Sequence, residues 1–153
     1  MRRNTLASER DRDELLRRLR TLGPDSVRRW GRMSAHQMVC HLNDAFRMAI
    51  GQKPVTCNPG LHQRTVIKWI AIHAPVRWPR GIMTVPEVNQ EIGGTPPADF
   101  AADLAELEAR VTSVAARRGA SWPLHPIFGR MSEREWLRWS YRHVDHHLRQ
   151  FGV

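Results

Sequence analysis

Two serine-headed capping boxes set the frame of this chain. In Ser34-Ala35-His36-Gln37, and again in Ser132-Glu133-Arg134-Glu135, a serine stands three residues before a Gln or Glu. In that pattern the serine side chain takes the N3 amide and the N3 side chain takes the serine amide, which starts a helix. Each box opens an apolar run at helical spacing. After the first, Ala35, Met38, Leu42, Ala45, Phe46 and Ala49 share a face, and Gly51 stops the helix after about Ile50. After the second, Leu137, Tyr141, Val144, Leu148 and Phe151 fall within roughly 80° of one another in projection. That helix reaches nearly to the last residue.

The remaining segments read the same way. Residues 8–21 carry Leu15, Leu16, Leu19 and Leu22 on one helical face, and Gly23-Pro24 ends it. Residues 51–61 are turn-rich. A shorter apolar helix is expected over 62–74, stopped by Pro75. From Pro75 to Pro97 there are five prolines and three glycines, a long irregular connection of the kind that often carries function. Thr95-Pro96-Pro97 reads as a helix entry, followed by Phe100, Leu104, Leu107 and Val111, with the helix running to about Arg118. Residues 119–131 form another loop. No segment reads as a strand, and no repeat is present. The expectation is all-α: a four-helix bundle with a short extra helix and long loops, in one domain over residues 1–153.

Composition narrows the function classes. Cys40 and Cys57 are too few for a disulfide scaffold and read as reduced thiols, which favours a cytoplasmic location. The first residues lack the apolar core of a secretory signal. The apolar stretch 66–76 is broken by Lys68, His73 and Pro75, far short of the roughly 20 residues that span a bilayer. A soluble protein with no membrane partner is expected. Lys+Arg number 24 against 15 Asp+Glu, a formal charge of +9. Such an excess raises nucleic acid or another anionic partner as a function. The bases are interleaved with acids, as in Glu9-Arg10-Asp11-Arg12-Asp13-Glu14, and no DNA-binding motif accompanies them, which disfavours nucleic acid.

Eight histidines offer more chemistry. On the last helix His143 and His147 are four apart and lie together on one border of the apolar stripe. His146 projects to nearly the opposite side and is expected in solvent. His41 lies on the border of the second helix's apolar face. If those helices are neighbours, His41, His143 and His147 converge. Three neutral imidazoles suit Zn²⁺, Ni²⁺ or a similar divalent ion, and three protein ligands leave a position for water or substrate. The alternative is that the same histidines are only hydrogen-bonded, and spacing leaves both open. Asp44 reads as either an orienting group for a ligand or a solvated helix acid. Cys40 reads as a small packing residue, and Arg149 as solvated or as a receptor for an anionic group. His125 reads as a loop cap or a lining of the site mouth. Trp136, on the His143 side of the last helix, reads as packing against the site or as plain core, and core packing is the default for it and for Trp139, which is further round.

These residues resemble a known family. Trp30-Gly31-Arg32-Met33-Ser34, with Gln37-Met38 and His41-Leu42, is similar to the second-helix motif of the DinB/YfiT-like superfamily. The ending resembles a branch of it classed as a domain of unknown function, through His125-Pro126-Ile127-Phe128-Gly129, Glu135-Trp136 and the run from His143 to Phe151. The resemblance covers most of the chain and is weakest over 1–25 and 52–95. It implies a four-helix bundle, often a homodimer, and a metal site carried over onto His41, His143 and His147. Characterised relatives are thiol-dependent transferases and isomerases that use bacillithiol, mycothiol or glutathione. The expected function is a divalent-metal-dependent enzyme acting on a small-molecule substrate. Its reaction would be thiol-dependent S-transfer or hydrolysis, with a low-molecular-weight thiol as a further cofactor and no individual catalytic residue assigned. Two competitors remain: a non-catalytic, stress-associated helical bundle, and a basic protein that binds nucleic acid or other anionic partners.

Overall fold

A computed structural model describes residues 3–153, and the regular elements among them are helices, with no strand. The elements are α1 (Glu9–Leu19), α2 (Ala35–Ala49), α3 (Lys68–His73), α4 (Phe100–Ala116) and α5 (Glu133–Gln150). A single π-helical turn, Gln63–Ile67, leads into α3, and a 3₁₀ turn covers Pro86–Val88.

Both capping boxes form. Ser34 accepts from the Gln37 amide while the Gln37 side chain takes the Ser34 amide, and Ser132 and Glu135 do the same on α5. The start of α4 differs from expectation. Asp99, not the Thr95-Pro96-Pro97 run, caps it, its side chain accepting from the Ala102 amide. The prolines therefore lie outside the helix. The expected 62–74 helix is split, because its first half winds as the π turn.

Two of the long helices, α1 and α2, each pack against both others, α4 and α5. One apolar cluster fills the space between the four. It includes Leu15 and Leu19 of α1, Met38, Leu42 and Phe46 of α2, Leu107 and Val111 of α4, and Leu137, Val144 and Leu148 of α5. These are the faces that the 3.6-residue period assigned. A second cluster joins Ala45 and Ala49 of α2 to Ile72 of α3, Phe128 and Met131 of the loop before α5, and Trp136 and Trp139 of α5. It clamps α3 and that loop over one end of the α2–α5 seam. Among the described residues no helix is long and apolar enough to cross a membrane.

Candidate metal centre

The α2–α5 seam carries three histidines. His41 comes from the middle of α2, and His143 and His147 from successive turns of α5. Their ring centroids form a nearly equilateral triangle: 5.1 Å for His41–His143, 4.9 Å for His41–His147 and 5.0 Å for His143–His147. One nitrogen from each lies within 4.8 Å of the others, so the group could hold a metal ion. His41 and His147 are buried and His143 is partly so. The Nε2 atoms of His41 and His143 are 3.1 Å apart. Two imidazole nitrogens on one tetrahedral Zn²⁺ would stand roughly 3.3 Å apart, given Zn–N bonds of about 2.0–2.1 Å.

The other ring nitrogens explain why these edges face inward. His41 Nδ1 lies 2.8 Å from the Val88 carbonyl. A carbonyl can only accept, so Nδ1 carries the hydrogen and Nε2 keeps its lone pair. His147 Nδ1 lies 2.8 Å from Gln150 Oε1, one turn along the same helix. Gln150 is oriented in turn, because its Nε2 donates to the Trp30 carbonyl at 2.9 Å. Its amide oxygen is therefore the atom left for His147. A ligand histidine whose second N–H is held by a carbonyl or amide has its tautomer and ring plane fixed before any ion arrives.

Burial dominates the electrostatics. It pushes the pKa of His41 down, and those of His143 and His147 well down, with the neighbouring imidazoles adding to the effect at the latter two. All three are neutral at neutral pH, the form that ligates metal. Aromatic rings wall the group: Trp139 lies 4.8 Å and Trp78 5.9 Å from the His143 ring.

The other side chains singled out by their position fall in different places. Trp139, rather than Trp136, meets His143; Trp136 is a layer away, stacked on Trp122 and 5.4 Å from Trp139. His146 is half-buried, not solvated, with its ring near those of Trp30, Trp78 and His147. Asp44 is fully buried and stands outside the histidine group. It accepts from the Thr95 amide and hydroxyl, both at 2.7 Å, and pairs with Lys53 at 3.1 Å and Arg47 at 3.0 Å. Burial alone would raise its pKa, but the Thr95 and Lys53 contacts outweigh that and hold it below the usual carboxylate value. Asp44 thus ties down Thr95, the far end of the segment that carries Val88. His125 caps its loop: Nδ1 accepts from the Ile127 and Phe128 amides, both at 3.1 Å. Arg149 pairs with Asp145.

Cys40 packs inside as expected and also donates to Asp103 at 3.6 Å. With His36, whose Nε2 is 2.7 Å from the same carboxylate, it forms a second compact donor group. Burial, then Asp103, pushes the Cys40 thiol up to about 12, so it stays protonated and these groups satisfy one another. The residues that sequence reasoning missed are the Val88 carbonyl, the Trp30 carbonyl and Trp78. Val88 and Trp78 lie in the proline-rich connection, where no periodicity marks them.

A family model described as protein of unknown function, DUF1569, matches residues 2–152. No curated protein and no solved structure matches the chain.

Proposed function

This chain belongs to the DUF1569 family of proteins of unknown function, and we propose that it is a divalent-metal-dependent enzyme built as a four-helix bundle of the DinB/YfiT-like kind. The packing of α1 and α2 against α4 and α5 supports the bundle reading. The observation that carries the metal reading is the pair of outer contacts, His41 Nδ1 to Val88 and His147 Nδ1 to Gln150. They leave inward-facing lone pairs in a dry, neutral group of three imidazoles. His41, His143 and His147 would hold the ion, with Zn²⁺ or Ni²⁺ suited to an all-imidazole set. When bound, such an ion lowers the pKa of a water or thiol ligand and so makes a nucleophile at neutral pH.

The chain's own residues do the positioning. Val88 and Gln150 hold two rings in plane, Trp139 and Trp78 limit water on the His143 side, and α2 and α5 keep the donors at a fixed separation. Among the chemistries open to such a site, S-transfer from a low-molecular-weight thiol and hydrolysis of a small molecule fit best. Both need a metal-activated nucleophile, supplied by the thiol in the first case and by water in the second.

The test is elemental analysis of tag-free protein beside His41→Ala and His147→Ala. Near-stoichiometric metal in the parent, and its loss in both variants, is the expected result. Absence of metal with no uptake of added Zn²⁺ or Ni²⁺ would overturn the reading. It would favour the contrary one, three hydrogen-bonded histidines, which draws on the same 3.1 Å His41–His143 contact.

A further inference from the structure

The outer face of α5 carries a second feature, separate from the histidine group. Between Arg3 and Asn4, the turn after α3 and the α5 residues Arg138, Tyr141, Arg142 and Arg149 lies a pocket of about 460 Å³. That is within the range of small-molecule sites and too small for a duplex. Five arginines line it: Arg3, Arg77, Arg138, Arg142 and Arg149. The one acid in the lining, Asp145, is already committed to Arg18 at 2.8 Å and to Arg149.

Arg138 is the telling residue. It is only 8% exposed, yet its Nε has no hydrogen-bond partner among the described residues. Burial and the nearby Arg3, Arg142 and Arg134 push its pKa down to about 10, so the guanidinium remains charged at neutral pH. A buried guanidinium nitrogen left without a partner is costly, and like charges around it add to the cost. Arg142 is held ready by the Ala74 and Val76 carbonyls, its guanidinium 5.8 Å from the Trp78 ring. A guanidinium offers paired N–H donors that match the two oxygens of a carboxylate or phosphate.

We propose that this pocket binds a small polyanion bearing phosphate or carboxylate groups, with Arg138 as its buried anchor and Arg77 and Arg149 at its rim. The site stands whether or not the histidines hold a metal. Trp78 and His146 line the pocket, their rings 5.9 Å from His143 and 5.2 Å from His147 respectively, so a ligand seated here would lie beside the histidine group.

Calorimetric titration of the full chain, freed of metal beforehand, with inorganic pyrophosphate and, separately, with citrate tests the proposal, using the parent protein, Arg138→Gln, Arg77→Gln and His41→Ala. Saturable one-to-one binding of at least one probe is expected, and which probe binds more tightly tells phosphoryl from carboxylate recognition. Affinity should fall at least tenfold in R138Q and several-fold in R77Q, and be unchanged in H41A. Without ligand, R138Q should melt at the same temperature as the parent or higher, because a cation crowded by like charges has gone. No binding of either probe, unchanged affinity in R138Q, or loss of binding in H41A would overturn the proposal. So would a lower melting temperature for ligand-free R138Q, which would mark Arg138 as structural, or competition by duplex DNA as effective as that by the probes.

Discussion

A Cβ placed on Gly31 would lie 2.5 Å from the side-chain nitrogen of Gln150, whose amide oxygen accepts from His147. Gly31 also has φ +80°, a conformation that side chains rarely adopt. Gly31→Ala is therefore expected to displace the Gln150 amide and release the His147 ring. Metal affinity should fall by about tenfold, in the range seen when groups supporting metal ligands are lost. Stability should fall by about 1 kcal/mol or more from backbone strain. A chelator-competition titration and a thermal melt read the two effects.

Gln150 itself separates packing from hydrogen bonding. Gln150→Leu keeps the bulk but removes the acceptor for His147 and the donor to Trp30. Metal affinity is expected to drop by roughly 10–100-fold. Gln150→Glu restores an acceptor for His147 and should recover a large part of that loss. Equal affinities for the two variants would show that the Nδ1 contact is not what orients His147.

Asp44 is expected to matter more for folding than its place on a helix suggests. Asp44→Ala leaves Lys53 and the Thr95 donors without their acceptor and should cost about 3 kcal/mol or more. Its pKa is lowered in the folded chain. Its contribution is therefore complete above the unfolded value of about 3.9 and is lost as pH falls through the lower folded value. Urea midpoints of D44A and the parent should differ most at pH 7 and draw together only as pH falls below the unfolded value.

His125 titrates with the same sign for a different reason, since burial disfavours its charged form. Burial, then Lys68, lowers its pKa to about 3. The unfolded chain binds a proton near pH 6.5 that the folded chain refuses. Its contribution is thus full above about pH 6.5 and declines as pH falls towards 3, by a total on the order of 5 kcal/mol. Asn at this position can still accept from the Ile127 and Phe128 amides but does not titrate. His125→Asn should therefore flatten the acid limb of the stability profile, measured on metal-free protein. An unchanged acid limb would assign the loss to other groups.

Local chemistry made much of this legible. The capping boxes at Ser34 and Ser132 and the 3.6-residue apolar period gave α2 and α5, and a helical projection brought His41, His143 and His147 to one seam. What stayed hidden depends on distance along the chain. The Val88 carbonyl meets His41 across 47 positions and Thr95 meets Asp44 across 51, and neither partner sits in a periodic segment. Asp44 shows why a projection misleads: it gives the direction of a side chain but not what covers it. Trp139 shows the same for reach, since its ring extends to His143 while Trp136 turns into the layer behind. At the entry to α4 two prolines are strong start signals, yet Asp99 beyond them is the residue that caps.

The separation of the histidines has a consequence for the whole chain. His41 and His143 are 102 positions apart. An ion gripped by both would close a loop of that length, and the unfolded chain would surrender that entropy to keep it. Unfolding would then be coupled to ion release. The melting temperature should climb with free ion concentration, with stability rising by about 2.7 kcal/mol when that concentration is a hundredfold above Kd. The seam between α2 and α5 would serve as a removable clasp, set by the surrounding ion supply.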